Sequence, residues 1–283
     1  MSSLEEGIVS SQNAAAQIAQ VQLRMQYQQL RHSGAPLPEL GDVEFRCFSQ
    51  NGEDGILLYL FALAGVTNRR VVEVCAGNGI ECNAANLIVN HGWYGLLLDG
   101  AAANVACARA FYSRCRTTMF RTPVVEQAWI TRENIDRTIA GHSFTGDIDL
   151  LSLDIDGNDY WIWQAINCVR PRVAVVEFNA LLGPERRLTL PYDPEFQLDF
   201  SRTPYQAGAS LAAFVALARD KGLRLVGVQA LGFNAFFVRD GLCEDVLPTR
   251  TVAECFAGND KLRGYDASWL AAMYRDGQRW EEV

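Results

Sequence analysis

The stretch Val71-Val-Glu-Val-Cys-Ala-Gly-Asn-Gly79 constrains this chain more than any other. Its β-branched, apolar start is the pattern of a strand buried on both faces. The two glycines that follow permit a turn in which no Cβ blocks close approach to the backbone. The next apolar run, Tyr94 to Leu98, ends in an acid, Asp99. Strand, glycine turn, helix, strand and acid in that order hold a nucleotide-like cofactor in a doubly wound α/β sheet. Backbone N–H groups of the turn approach the ligand, and the acid accepts hydrogen bonds from ribose hydroxyls.

The rest of the chain extends this unit. Strands are predicted at Val71–Val74, Tyr94–Leu98, Thr117–Arg121, Ile148–Leu153 and Arg172–Val176. Helices fall between and after them: Asn83–Asn90 with Asn83 as N-cap, Ala101–Tyr112, Thr131–Ile139 with Thr131 as N-cap, and Tyr160–Ile166. Ala209 to Lys221 is amphipathic and stops at Gly222. Leu223–Gln229 and Asn234–Arg239 are separated by so short a gap that they form an antiparallel hairpin. The fold class is therefore α/β: a doubly wound, mostly parallel seven-stranded sheet with an antiparallel edge strand, preceded by an N-terminal helix. Residues 1–42 are read as a helical extension and linker, 43–240 as the main domain and 241–283 as a tail with short helices near Val252 and Ser268. Residues 180–208 show no clean period, and a loop of that length inside a compact domain is expected to serve as a lid. The aromatic residues Tyr160, Trp161, Trp163, Phe178, Tyr192, Phe196, Phe200 and Tyr205 are candidates for the cover.

Composition narrows the partners. The formal charge is -8 with no basic stripe, so nucleic acid is not expected as a ligand. No apolar run reaches the roughly 18 residues a bilayer span needs, and a soluble, cytoplasmic protein is expected. Loosely periodic apolar residues from Ile8 to Leu30 suggest a helix lying across the domain or on a second copy, which would make a homo-oligomer. None of the eight cysteines forms a C-x-x-C pair, so they are read as reduced, with Cys75 playing a steric role in the glycine turn.

Ligands of an open parallel sheet sit beyond the carboxyl ends of its strands. The fourth predicted strand delivers Asp154 and Asp156 there, and the fifth delivers Glu177 and Asn179. Alternation places each pair on one side of its strand. These hard oxygen ligands suit Mg²⁺, held by Asp154, Glu177 and Asn179, which would acidify a substrate hydroxyl. Equally, Asp154, Asp156 or Glu177 serves as a general base without metal, because crowded carboxylates raise one pKa toward neutrality. A third reading has these acids capping the next helix. His91 precedes Gly92 at a helix end, where a positive imidazole would suit the dipole. Arg186, Arg187 and Arg202 in the long loop could meet an acidic acceptor.

Glu73-Val-Cys-Ala-Gly-Asn-Gly79, with Cys75 where a first glycine usually stands, resembles the glycine turn of class I S-adenosylmethionine-dependent methyltransferases. Within that class the chain is most similar to the FkbM-like group. The similarity rests on Ser49-Gln-Asn-Gly-Glu-Asp-Gly55, Leu153-Asp-Ile-Asp-Gly-Asn-Asp-Tyr-Trp161 and Asn234-Ala-Phe-Phe-Val-Arg239. The resemblance implies S-adenosyl-L-methionine as cofactor. It places Glu73 near the amino end of the cofactor, Gly77, Asn78 and Gly79 along its methionyl part, and Asp99 on its ribose. It also implies that Gln50 and Asp54 cap the pocket, with Asn83 and Asp154 as further contacts. The expected activity is O-methylation of a small-molecule or glycan acceptor: a sugar, glycolipid or secondary metabolite. A metal-free N-methyltransferase and a noncatalytic cofactor-fold protein that dimerises through its N-terminal helix are the alternatives. A nicotinamide site would need G-x-G-x-x-G, and the third glycine is replaced by Cys82.

Overall fold

A computed structural model describes residues 3–199, 201, 206–265, 268 and 279–283, with residues 3–13 as backbone only. Its central sheet has seven strands: β1 (Arg70–Val74), β2 (Tyr94–Asp99), β3 (Val124–Gln127), β4 (Gly146–Leu153), β5 (Val169–Glu177), β7 (Leu223–Val228) and β8 (Asn234–Arg239). They lie in the order β3-β2-β1-β4-β5-β8-β7. The first five are parallel, and the hairpin at the far edge contributes β8, antiparallel to both β5 and β7. This is the sheet the sequence predicts, with the reversed strand docked on β5 and β7 outermost. Two short strands, β6 (Leu188–Thr189) and β9 (Glu281–Glu282), pair apart from it.

Period-two alternation sorts the strand residues onto two covered faces. Val72, Val74, Leu151, Leu153 and Val176 pack toward α5 (Ile135–Gly141), α6 (Asp159–Ala165) and α7 (Leu211–Asp220). Val71, Leu97, Leu150, Val173 and Val175 pack toward α2 (Glu53–Ala64), α3 (Ala85–His91) and α4 (Ala102–Arg114). Helix α2 is apolar all round from Ile56 to Leu63, and every one of those residues is buried. A helix of that composition has to be enclosed on all sides. The sheet covers one side and α1 (Ser3–Ser33) covers another, with Tyr27 of α1 edge-on to Tyr59 at 4.9 Å. So α1 lies across its own domain, leaving Ile18, Val21 and Met25 exposed. Among the described residues no helix is long and apolar enough to cross a membrane.

Three local predictions are corrected. Thr117–Arg121 forms turns after α4, and β3 begins beyond Pro123. The threonine that read as strand instead closes the helix: Thr118 Oγ1 donates to the Tyr112 carbonyl at 2.7 Å. Helix α5 starts at Ile135 because Asn134 Oδ1 takes the Thr131 N–H and builds a turn ahead of it. Asn83 does not cap α3. Glu73 does that work, accepting the N–H groups of Asn83 and Ala84 at 2.9 and 2.7 Å. Helix α8 (Val252–Gly258) is present with a capping box from Thr251 and Glu254. The helix expected near Ser268, and the loop residues Phe200, Arg202 and Tyr205, lie almost wholly outside the described residues.

Candidate active site

The direction in which successive strands are added to the sheet reverses between β1 and β4, and there the loops beyond the strand ends part to leave a crevice. A cavity of about 820 Å³ occupies it. Cys75 and Gly77 reach it from β1, Asp99 from β2, Trp129 from beyond β3, Asp154 and Asp156 from β4, and Glu177 from β5. Gln50 and Asn51 close it from the loop before α2.

The turn after β1 carries left-handed backbone at Cys75 (φ 61°), Gly77 (φ 55°) and Gly79 (φ 69°). A non-glycine residue there stores strain of about 1–2 kcal/mol. Cys75 thus occupies a position built for glycine. Burial, then the surrounding acids Asp159, Asp99, Asp154 and Asp156, raise its thiol pKa, so it stays protonated and is no nucleophile. At Gly79 a Cβ would stand 2.6 Å from that of Ala108, so this glycine serves close packing of the turn on α4. Asn78 points its side chain away from the cavity, with Oδ1 accepting N–H groups of Ile80 and Glu81.

Asp99 lines the cavity from the end of β2. Its Oδ1 accepts the Ala101 N–H at 2.8 Å and the Asn104 amide at 3.1 Å, while Oδ2 has no protein hydrogen bond among the described residues. Glu73, Asp54 and Asn83 do not line the cavity. Glu73 is buried with both oxygens on α3 and one also on Ser152 Oγ at 3.1 Å. Asp54 Oδ2 accepts three backbone N–H groups, from Cys47, Phe48 and Ser49 at 2.6–2.8 Å. It holds the loop that presents Gln50 and Asn51. Asn83 donates to Ser152 Oγ at 3.1 Å. Asn51 is a residue the sequence reading passed over. Its Nδ2 is buried, lacks a partner and belongs to a residue lining the cavity. Its place inside Ser49–Gly55 was the one signal available. Trp129 and Phe233, which also line the cavity, carried none.

Ligand oxygens of Asp154, Asp156 and Glu177 all lie within 4.8 Å of one another. Asn179 does not line the cavity. Its Oδ1 accepts the Leu181 N–H and its Nδ2 donates to the Ala207 carbonyl, so it shapes the start of the long loop instead. Asp156, with a left-handed φ of 58°, is the third acid of the cluster. Burial raises the pKa of all three carboxyls. Glu177 is raised well above the usual carboxylate range by burial, then by the neighbouring charges of Asp154 and Asp159. Two buried carboxyls crowded in this way favour sharing a proton. Behind them Asp159, fully buried, accepts the N–H groups of Ile155 and Gly157, and burial followed by Asp154 pushes it up to about 7.

The long loop does come over the cavity: Phe196, Gln197 and Leu198 line it. Trp129 Nε1 donates to the Pro194 carbonyl and Asn158 Nδ2 to that of Asp193, both at 2.7 Å. Tyr192 is a tether, its hydroxyl 2.6 Å from Glu133. Tyr160, Trp161, Trp163 and Phe178 are core residues, not cover. Arg186 pairs with Glu282 at 3.5 Å, and neither it nor Arg187 lines the cavity.

No protein-family model and no curated protein sequence matches this chain. Solved structures do. Magnesium protoporphyrin IX methyltransferase from Synechocystis PCC 6803, with bound SAM, is similar at 12% identity over 66% of this chain and 78% of that one, with a TM-score of 0.40. The N-terminal domain of EvdMO1 with SAH bound is similar at 14% identity over 77% and 94%, with a TM-score of 0.42. The glycopeptide N-methyltransferase MtfA complexed with sinefungin is similar at 12% identity over 65% and 85%, with a TM-score of 0.39. Likeness at this level assigns no function.

Proposed function

We propose that this chain is an S-adenosylmethionine-dependent O-methyltransferase acting on a hydroxyl of a sugar, glycolipid or secondary metabolite without negative charge. The observation that carries this reading is the charge of the cavity. Four carboxylates, Asp99, Asp154, Asp156 and Glu177, line it, and no Arg, Lys or His among the described residues does. Such a surface repels a dinucleotide pyrophosphate and attracts a sulfonium cation. For the same reason the acceptor is neutral or cationic, which sets aside an acidic acceptor met by loop arginines.

The residues present fit the cofactor. Oδ2 of Asp99 accepts the ribose hydroxyls, the Cys75–Gly77 backbone approaches the methionyl part, and the unpartnered Asn51 amide donates to its carboxylate. When bound, the cofactor supplies an electrophilic methyl group on a positive sulfur. Asp154 and Glu177 orient the acceptor hydroxyl and take its proton as the oxygen–carbon bond forms. Phe196 and Trp129 exclude water from the site. A second reading is favoured by the mutual distances of at most 4.8 Å in the carboxylate cluster: Asp154, Asp156 and Glu177 would hold Mg²⁺, which acidifies that hydroxyl.

Calorimetric titration of the full chain tests both. S-adenosylhomocysteine should bind saturably while NAD⁺ does not, and Asp99→Ala should weaken binding about tenfold or more. Equal binding of NAD⁺, or none of S-adenosylhomocysteine, would overturn the cofactor assignment. Mg²⁺ binding that disappears in Glu177→Gln selects the metal reading, and no Mg²⁺ binding selects the metal-free base.

A further inference from the structure

A second cavity, about 240 Å³, opens at the opposite, amino edge of the sheet. The loop entering β1 and the carboxyl ends of α2 and α3 meet α1 there. Its floor is apolar. Leu58, Phe61, Leu87 and Trp93 are buried, and the Phe61 and Trp93 rings meet edge to face at 4.7 Å. Its rim is cationic, formed by Arg24 of α1 and Arg69 beside the imidazole of His91.

Neither guanidinium makes an ion pair or hydrogen bond among the described residues. Both are close enough to His91 to act, after burial, in pushing its pKa down to about 4. His91 is therefore neutral at physiological pH rather than the positive helix-end group the sequence suggested. Its Nε2 meets Gln20 Oε1 at 2.7 Å. The two arginines are not needed as helix caps. The last carbonyls of α2 are taken by other residues: Leu63 by Arg31, and Ala64 by Arg172 at 2.6 Å. Arg69 is also rigidly presented. The fully buried Asp149 carboxylate accepts the N–H groups of Thr67, Asn68 and Arg69 at 2.6–2.8 Å, and Arg69 is held at φ 55°, a conformation that favours glycine.

Two like charges held together without a counter-charge, above an aromatic floor, lack one thing, an anion with an apolar body. We propose that this cavity binds a small organic carboxylate whose apolar or aromatic part lies on the Phe61–Trp93 floor and whose charge is shared by Arg24 and Arg69. Because one arginine belongs to α1 and the other to the β1 entry, the bound anion fastens α1 to the sheet. The site is separate from the acidic cavity and does not depend on the methyltransferase reading.

The test is calorimetric titration of the full chain with benzoate, phenylacetate and 3-phenylpropionate, with benzyl alcohol and inorganic phosphate as controls. At least one carboxylate should bind saturably at one site and both controls more weakly. Arg24→Gln and Arg69→Gly should each weaken that binding tenfold or more. Arg69→Gly suits the left-handed backbone, so its melting temperature should equal or exceed that of the wild type, which separates lost binding from lost fold. The bound carboxylate should also raise the His91 pKa, read from its imidazole NMR signals. No saturable binding of any of the three up to about 10 mM would overturn the proposal. So would binding unchanged in both variants, or binding of benzyl alcohol or phosphate as tight as that of the carboxylates.

Discussion

At the scale of single residues, the acids divide by what their second oxygen does. Glu73 and Asp149 spend their oxygens on backbone N–H groups, and both are structural. Asp99 spends one, and Asp154 and Glu177 turn theirs toward each other, within 4.8 Å. The sequence placed Glu73 in the first strand and Asp99, Asp154 and Glu177 at strand ends but could not tell these uses apart, because each depends on which N–H groups the fold brings near. Glu177 gives this a measurable form. The unfolded chain releases its proton near ~4.3, whereas burial and Asp154 raise that value in the fold. The folded state therefore holds a proton that the unfolded state has lost. That contribution is complete below the unfolded value and disappears as pH rises through the folded one. Glu177→Gln, a neutral mimic of the protonated acid, should melt above the wild type at about pH 8, and the gap should close toward about pH 4. Thermal unfolding across that range checks it; a wild type more stable at the alkaline end would contradict the shared proton.

At the scale of elements, the segment Ser49–Gly55 shows how local and distant effects combine. Its Asp and Gly residues mark a helix start, and α2 duly begins at Glu53. What the sequence hid is how closely the preceding chain crosses it. A Cβ on Gly55 would stand 2.0 Å from the Val43 carbonyl oxygen and 2.5 Å from the Phe45 nitrogen. Helix propensity alone says Gly55→Ala stabilises by about 1 kcal/mol. The backbone contact reverses the sign, and we expect a loss of about 3 kcal/mol in denaturant unfolding. Because the same loop presents Gln50 and Asn51, affinity for S-adenosylhomocysteine should fall as well. A stabilised variant would show that the crossing gives way. Strand β3 is the converse case. Thr117 and Thr118 carry strand propensity, but the end of α4 offered Thr118 a carbonyl to cap, and a nearby partner outweighed the propensity.

At the scale of the whole molecule, the cavity is closed by segments far apart in sequence. Trp129 holds Pro194 across 65 residues and Glu53 holds Asn234 across 181. Trp129→Phe keeps a ring over the cavity but removes the indole N–H that anchors the loop. Steady-state kinetics should show a several-fold rise in KM for the acceptor, with S-adenosylhomocysteine affinity nearly unchanged; equal losses in both would mean the loop also shapes the cofactor side. The sequence by itself determined the sheet, because strand alternation, glycine turns and helix stops act within a few residues of each other. It likewise determined that Asp99, Asp154, Asp156 and Glu177 would gather at one edge, since parallel strands all end there. Only the tertiary structure decided that Asn179 stands outside the cavity lining, that Glu73 and Asp54 serve the backbone, and that two arginines stand unpaired over an aromatic floor. Those outcomes turn on burial and on which partners the folded chain brings within reach, and no local pattern in a chain records either.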